Sequence, residues 1–288
     1  MPHHLISILI PFKNTSHFIA ECLESIVSQT YTNWEIIIID DHSTDNSFSI
    51  VQKFVEKDTR IKLYKNSGNG IINALQLAYS KSKGSLITRM DSDDIMTNKK
   101  LQCMHDDLMS FGKGHVALGL VKYFSDEGIS DGYSKYEAWL NGLTEKGENY
   151  SEIYKECVIA SPCWMVHRED FDNGGAIDSD IDPEDYDLVF RFYKHKLKCI
   201  PSTNLLHYWR DYNYRTSRTQ DNYSHDMMLK LKLHYFLELH HDKNKTFPKQ
   251  ITFDFVFVGS DHFHWFLFGF PHAFASTGPG GYFYRAGY

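Results

Sequence analysis

Ser85-Leu86-Ile87-Thr88-Arg89-Met90-Asp91-Ser92-Asp93-Asp94 is a short apolar run that ends in three carboxylates within four residues. Such a run predicts a strand that stops where chemistry begins, because ligands in open α/β sheets bind beyond the carboxyl ends of the strands. Three carboxylates this close repel one another unless a cation sits among them. Mg²⁺ and Mn²⁺ are hard ions that commonly bridge a carboxylate to substrate phosphates. A metal–diphosphate site is therefore one reading of the stretch. A solvated turn that caps a helix is the other, since Asp is favoured there too.

The segments before it decide between them. Residues 5–10 are apolar and β-rich, with Pro11 as the expected stop, and residues 34–39 form a second such run. Both read as strands buried on two faces, as in a parallel sheet. Residues 61–64 predict a third strand. Between them, Phe18, Ile19, Cys22, Leu23, Ile26 and Val27 recur at helical spacing, with Thr15 or Ser16 as the expected cap. Phe48, Val51, Phe54 and Val55 mark a second helix, and Ile72, Leu75 and Ala78 a third. Residues 5–94 thus alternate strand and helix, which predicts an α/β fold with helices on both faces of a parallel sheet. The polar strand ends Pro11-Phe12-Lys13-Asn14, Asp40-Asp41, Asn66-Ser67-Gly68 and Asp91-Ser92-Asp93-Asp94 then gather on one edge. That convergence favours the site over the turn.

The bulk numbers exclude other classes. A net charge of −7 without a basic block argues against nucleic acid as a partner. The five cysteines form no CxxC pair and no disulfide framework, which points to reduced thiols in a cytoplasmic protein. The N-terminal apolar run lacks a basic flank and is too short for a signal peptide or a membrane span.

Three further stretches make a family resemblance specific. Ser7-Ile8-Leu9-Ile10-Pro11-Phe12-Lys13-Asn14, Trp34-Glu35-Ile36-Ile37-Ile38-Ile39-Asp40-Asp41 and Arg89-Met90-Asp91-Ser92-Asp93-Asp94 resemble the family 2 glycosyltransferases with the GT-A fold. Asp182-Pro183-Glu184-Asp185 resembles that family's acceptor-side Glu-Asp motif. The resemblance covers roughly residues 5–220 and implies a GT-A-type, Rossmann-like, mostly parallel sheet in a domain spanning 1–220. Residues 1–114 would be the nucleotide-sugar half and residues 115–220 the acceptor half. It implies an inverting, metal-assisted transfer from a nucleotide-sugar, with UDP favoured, to a hydroxyl of a glycan or lipid-linked acceptor in cell-surface polysaccharide synthesis.

The implied roles follow residue by residue. Pro11, Asp41, Asn66, Asp91 and Asp93 bind the donor: Asp41 would accept a hydrogen bond from a pyrimidine, and Asp91 would lie near the ribose. Asp93 and Asp94 would hold a divalent cation, Mn²⁺ or Mg²⁺. Asp185 would be the general base, with Glu184, Trp164 and Arg210 supporting it or facing the acceptor. A nucleotidyltransferase on the same sheet and a non-catalytic sugar- or partner-binding protein are the competing classes. The first is disfavoured because the loop after the first strand has no glycine.

In the second half, residues 115–121 read as one strand, residues 125–149 as a loop and helix excursion, and residues 159–168 as a strand facing the site. Residues 221–241 read as an amphipathic helix. Residues 251–288 hold nine of the twenty phenylalanines and neither lysine nor glutamate. This aromatic extension admits three readings: peripheral contact with the inner face of a membrane, packing on another subunit, or an ending that is not the natural one.

Overall fold

A computed structural model describes residues 4–177, 181–213, 215 and 224–240. The expected aromatic extension lies outside the described residues. The first half alternates as expected: β1 (Ile6–Phe12), α1 (Ile19–Val27), β2 (Trp34–Asp40), α2 (Ser47–Lys57), β3 (Ile61–Lys65), α3 (Gly70–Lys81) and β4 (Leu86–Arg89). There follow β5 (Ile95–Met96), α4 (Lys100–Phe111), β6 (His115–Leu118), β7 (Leu120–Phe124), α5 (Asp131–Lys146), β8 (Trp164–His167) and α6 (Arg168–Asn173). The last elements are α7 (Glu184–Lys194), β9 (Lys198–Cys199), β10 (Leu205–Arg210) and α8 (His225–His240). No described helix is long and apolar enough to cross a membrane.

A seven-stranded sheet has the order β3-β2-β1-β4-β8-β6-β9. Its first four strands are parallel, whereas β8 runs antiparallel to both β4 and β6. Side chains alternate between faces along a strand, and both faces are covered here. Ile6, Ile8 and Ile10 of β1 and Ile36 and Ile38 of β2 pack under α1 and α4. Leu9, Ile37 and Ile39 pack under α3, α7 and α8. Two covered faces are why the runs are apolar throughout rather than alternating.

Pro11 does not stop β1, which continues to Phe12. In β1 the odd-numbered residues bond toward β4, and Met90 N–H donates to Leu9 O as the last such bond. The N–H that Pro11 lacks would point where β4 has already ended, so no ladder bond is lost. The expected caps are also absent: α1 begins after Phe18 with no side-chain cap, and the backbone carbonyl of Thr15 accepts from Phe18 and Ile19 instead.

The single strand expected over residues 115–121 is two strands in different sheets. β6 belongs to the large sheet, and β7 joins a three-stranded sheet of order β5-β10-β7. The break falls at Gly119, where a Cβ would lie 2.6 Å from the Cβ, Cγ and Cδ1 atoms of Leu206 in β10. The chain likewise changes sheets between β4 and β5, and the acidic stretch 90–94 is that crossing. Because β5 pairs with β10, through His207 with Met96 and Tyr208 with Ile95, β10 lies beside the acidic turn.

Gly119→Ala drives its new methyl into Leu206 and is expected to cost about 1–3 kcal/mol, as overpacking does. A urea unfolding midpoint equal to that of the parent would contradict the close approach.

Candidate active site

The carboxyl ends of β1, β2 and β4 open into one cavity of about 1000 Å³. Pro11, Asp41, Asp91 and Asp93 line it from the strand ends, and Asp185 lines it from the first turn of α7. Five of the residues singled out in the sequence thus share one wall system. Asn66, Asp94, Glu184, Trp164 and Arg210 do not line it, and each has another place.

Asp41 is buried just past the end of β2. Its Oδ1 accepts from Asn66 Nδ2 at 2.7 Å and from the Gly70 N–H at 3.0 Å, where α3 begins. Asn66 therefore orients Asp41 instead of facing the cavity. Lys13 Nζ lies 3.6 Å from Asp41 Oδ2 and is half exposed, so this pair is weak in water.

Asp93 and Asp94 part company. Asp94 is fully buried; its Oδ1 accepts from the Arg210 backbone N–H at 2.8 Å, and its Oδ2 from His207 Nε2 at 3.0 Å. Lys100 Nζ lies 3.1 Å from His207 Nδ1 and donates to the Pro162 carbonyl at 2.6 Å. A lysine in that place makes Nδ1 the acceptor, which leaves the imidazole proton on Nε2 for Asp94. Burial, and then the Lys100 charge, hold His207 well below the ordinary histidine range, so the ring is neutral. With both oxygens committed to β10, Asp94 anchors the turn to the small sheet. Both oxygens of the residue expected as the second metal ligand thus already accept hydrogen bonds from the chain. Asp93, by contrast, faces the cavity.

Burial, then the charges of Asp94 and Asp91, push Asp93 up to about 7. The same crowding of negative charge that favours a proton there favours a cation. Asp91 and Asp93 offer hard carboxylate oxygens, the donor set that Mg²⁺ and Mn²⁺ prefer. No group of three or more ligating side chains is preassembled among the described residues. Ions of this type typically take one or two carboxylates and complete their shell with substrate phosphates and water, so the residues present fit such an ion.

Arg89 ties this turn to the other end of the site. The last residue of β4, it is buried; its Nε donates to Asp91 Oδ1 and its Nη1 to Glu184 Oε1, both at 2.8 Å. Glu184 is only 7% exposed, so its carboxylate is committed to this arginine. Its neighbour Asp185 is left facing the cavity. Burial, then the Glu184 charge, raise Asp185 to about 7, against the lowering influence of Arg89.

Trp164, expected to face the acceptor, is core. It is 3% exposed, stacks on Phe171 at 5.7 Å and meets Phe192 edge-on. The aromatic surface of the cavity comes instead from Tyr123, Tyr133, Tyr136 and Trp209, with Tyr123 stacked on Trp209 at 4.9 Å. Arg210 is a clamp: its Nε donates to the Asp93 carbonyl at 2.7 Å, and its guanidinium lies over Phe18 and Phe124. Of Arg210 and Arg215, the one that lines the cavity is Arg215, set over the Trp209 ring at 5.5 Å. No motif marks the tyrosines of the 123–136 stretch; Tyr133 and Tyr136, in an otherwise polar excursion, are the signal that the sequence offers.

The protein-family description "Glycosyl transferase family 2" matches residues 7–175, more than half of the chain. The chain belongs to glycosyltransferase family 2. Among curated members, glycosyltransferase GlyG of Streptococcus pneumoniae is 39% identical over 105 residues, 36% of this chain and 35% of that protein. The Escherichia coli UDP-Glc:α-D-GlcNAc-diphosphoundecaprenol β-1,3-glucosyltransferase WfgD is 39% identical over 175 residues, 58% of this chain and 62% of that protein. The chain thus matches about a third of the length of GlyG and three-fifths of that of WfgD. Among solved structures, S. aureus TarS in complex with UDP-GlcNAc superposes with a TM-score of 0.63 at 18% identity, covering 83% of this chain and 68% of that one. The mannosyltransferase PcManGT of Pyrobaculum calidifontis, in complex with GDP-Man and Mn²⁺, gives 0.60 at 16% identity, covering 85% and 66%. The GT-A-type fold expected from the sequence is the fold of this family 2 glycosyltransferase. The family match ends before Asp185, β10 and α8.

In this family 2 glycosyltransferase Arg89→Met leaves Glu184 buried without its partner. Breaking a buried pair from one side is expected to cost roughly 3–5 kcal/mol, and Arg89→Met with Glu184→Met considerably less. Chemical denaturation of the two single variants and the double variant measures this. Additive losses would show that the two side chains do not act as a pair.

Proposed function

We propose that the protein transfers a sugar from a UDP-sugar to a hydroxyl of a glycan, with inversion at the anomeric carbon. The supporting observation is that Asp41, the Asp91–Asp93 turn and Asp185 line one cavity, with Arg89 joining the second to the third through Glu184. Asp41 Oδ2 takes the Gly70 N–H at 3.2 Å and has Lys13 Nζ 3.6 Å away, and its other lone pair serves the base N–H of a pyrimidine. Asp91 serves the ribose and, with Asp93, a divalent cation. That ion, when bound, neutralises the charge that grows on the departing diphosphate. Residues 1–114 would carry the donor, and residues from 115 onward would complete the acceptor side.

Asp185 removes the proton from the acceptor hydroxyl as its oxygen bonds to the anomeric carbon. The bond from that carbon to the phosphate oxygen breaks, and the nucleoside diphosphate leaves with the electron pair. A carboxylate raised to about 7 is a stronger base than an ordinary one; about half of it is ionised at neutral pH and most of it above. A single base acting on the acceptor hydroxyl supports one displacement, and one displacement inverts the anomeric carbon. The name of the E. coli relative, which acts on a diphosphoundecaprenol-linked sugar, supports a lipid-linked acceptor.

Asp185→Asn is expected to lower turnover by roughly 10²–10⁴-fold while UDP binding persists; a sugar- or partner-binding protein would not respond. With the wild type, kcat/KM should rise with pH and level off above about 7, as Asp185 loses its proton. Glu184→Gln removes the adjacent negative charge and should move that rise to lower pH; an unmoved profile would take the base role from Asp185. Asp93→Ala should abolish the dependence of UDP binding on Mn²⁺ in calorimetry. UDP binding that is equal with and without chelator in the wild type would remove the cation from the reading.

A further inference from the structure

Asp93 is held from two directions by the last residue of β10 and by the chain just past it. Its backbone carbonyl accepts from Arg210 Nε at 2.7 Å. Its carboxylate Oδ2 accepts from the Tyr212 O–H at 2.9 Å. The Tyr212 ring packs on Phe18 with centroids 4.8 Å apart, and the Arg210 guanidinium lies 4.7 Å from the centroid of the same Phe18 ring. Tyr212, Phe18 and Arg210 thus form one packed unit around a single aspartate. A tyrosine O–H is a donor at neutral pH, and Asp93 Oδ2 is the acceptor it meets.

A carboxylate on a solvated turn rotates freely about its terminal bond. One that accepts a hydrogen bond at Oδ2 from a ring fixed by packing does not, and the orientation of Oδ1 is set as a result. Metal-ligating carboxylates are characteristically hydrogen-bonded in this way by a second layer of side chains, whose loss typically weakens metal binding 10- to 100-fold. We propose that Tyr212 is a positioning residue for the divalent cation: its O–H holds the Asp93 carboxylate in the orientation that binds the ion. This inference rests on the reading of Asp93 as a cation ligand. It adds a residue beyond the end of the family match and outside the acidic motif.

The test is Mn²⁺ titration of the full chain with saturating UDP, followed by the electron paramagnetic resonance signal of the free ion. Tyr212→Phe keeps the ring on Phe18 and removes only the hydroxyl. The expected result is an Mn²⁺ affinity about 10- to 100-fold weaker than that of the wild type. UDP affinity measured in chelator should stay unchanged, because the contacts around Asp41 are untouched. An Mn²⁺ affinity within about threefold of the wild type, or a tighter one, overturns the proposal, since hydrogen-bonded outer partners act well above that margin. A tighter value would mean that the tyrosine competes with the ion. A wild type that binds no Mn²⁺ even with UDP overturns the cation reading itself and this inference with it. The two failures are told apart by the wild-type titration alone.

Discussion

The buried contact of Arg89 with Asp91 and Glu184 sets the scale of the site. It joins the end of β4 to the start of α7, elements 95 residues apart in the chain. Such a contact is a poor source of net stability, because taking charged groups out of water costs several kcal/mol per ion, and their attraction does little more than offset it. Its value is geometric. Any shift of α7 away from β4 strands a buried charge, so the separation between the Asp91–Asp93 turn and Asp185 is held within narrow limits. Glu184 also gives up its own access to the cavity, which is why one member of the Glu-Asp pair lines it and the other does not.

The parallel core was legible because each strand is buried on both faces, and nothing but an apolar run satisfies that condition. The convergence of polar strand ends followed from it. Other features depend on partners that local sequence does not name. Residues 115–121 are apolar without interruption apart from Gly119, and only the position of Leu206 makes that glycine a boundary between sheets. Asp93 and Asp94 look interchangeable in sequence, yet His207 and Arg210 commit one of them to the small sheet. Trp164 looks like a sugar platform until α6 and α7 close over it. Arg210 and Arg215 are both basic residues just past a strand. The ring of Phe18 draws the first into the scaffold, and the second lines the cavity.

The charges of the cavity are arranged in sequence rather than pooled. Asp41 is screened by amide donors, Asp91 by a guanidinium, and Asp94 by a neutral imidazole and a backbone N–H. Asp93 and Asp185, like Asp182, face the cavity with their proton affinity raised. In the proposed chemistry the first meets a cation and the second takes a hydroxyl proton.

The pairing of β5 with β10 has a consequence for the birth of the protein on the ribosome. The hydrophobic strands that carry the acidic turn are complete by residue 96, but the groups that hold Asp93 and Asp94 are 113 to 119 residues further along. Until that length has been synthesised, the turn is a knot of mutually repelling carboxylates at the open edge of a half-built sheet. Contacts of such long sequence separation form late, since the loop must close before it is rewarded. The first half can therefore collapse early and still leave this turn unheld. The arrival of β10 is what fixes it, so a nascent or truncated chain that stops short of residue 205 carries the parallel strands without the arrangement of Asp93 and Asp94.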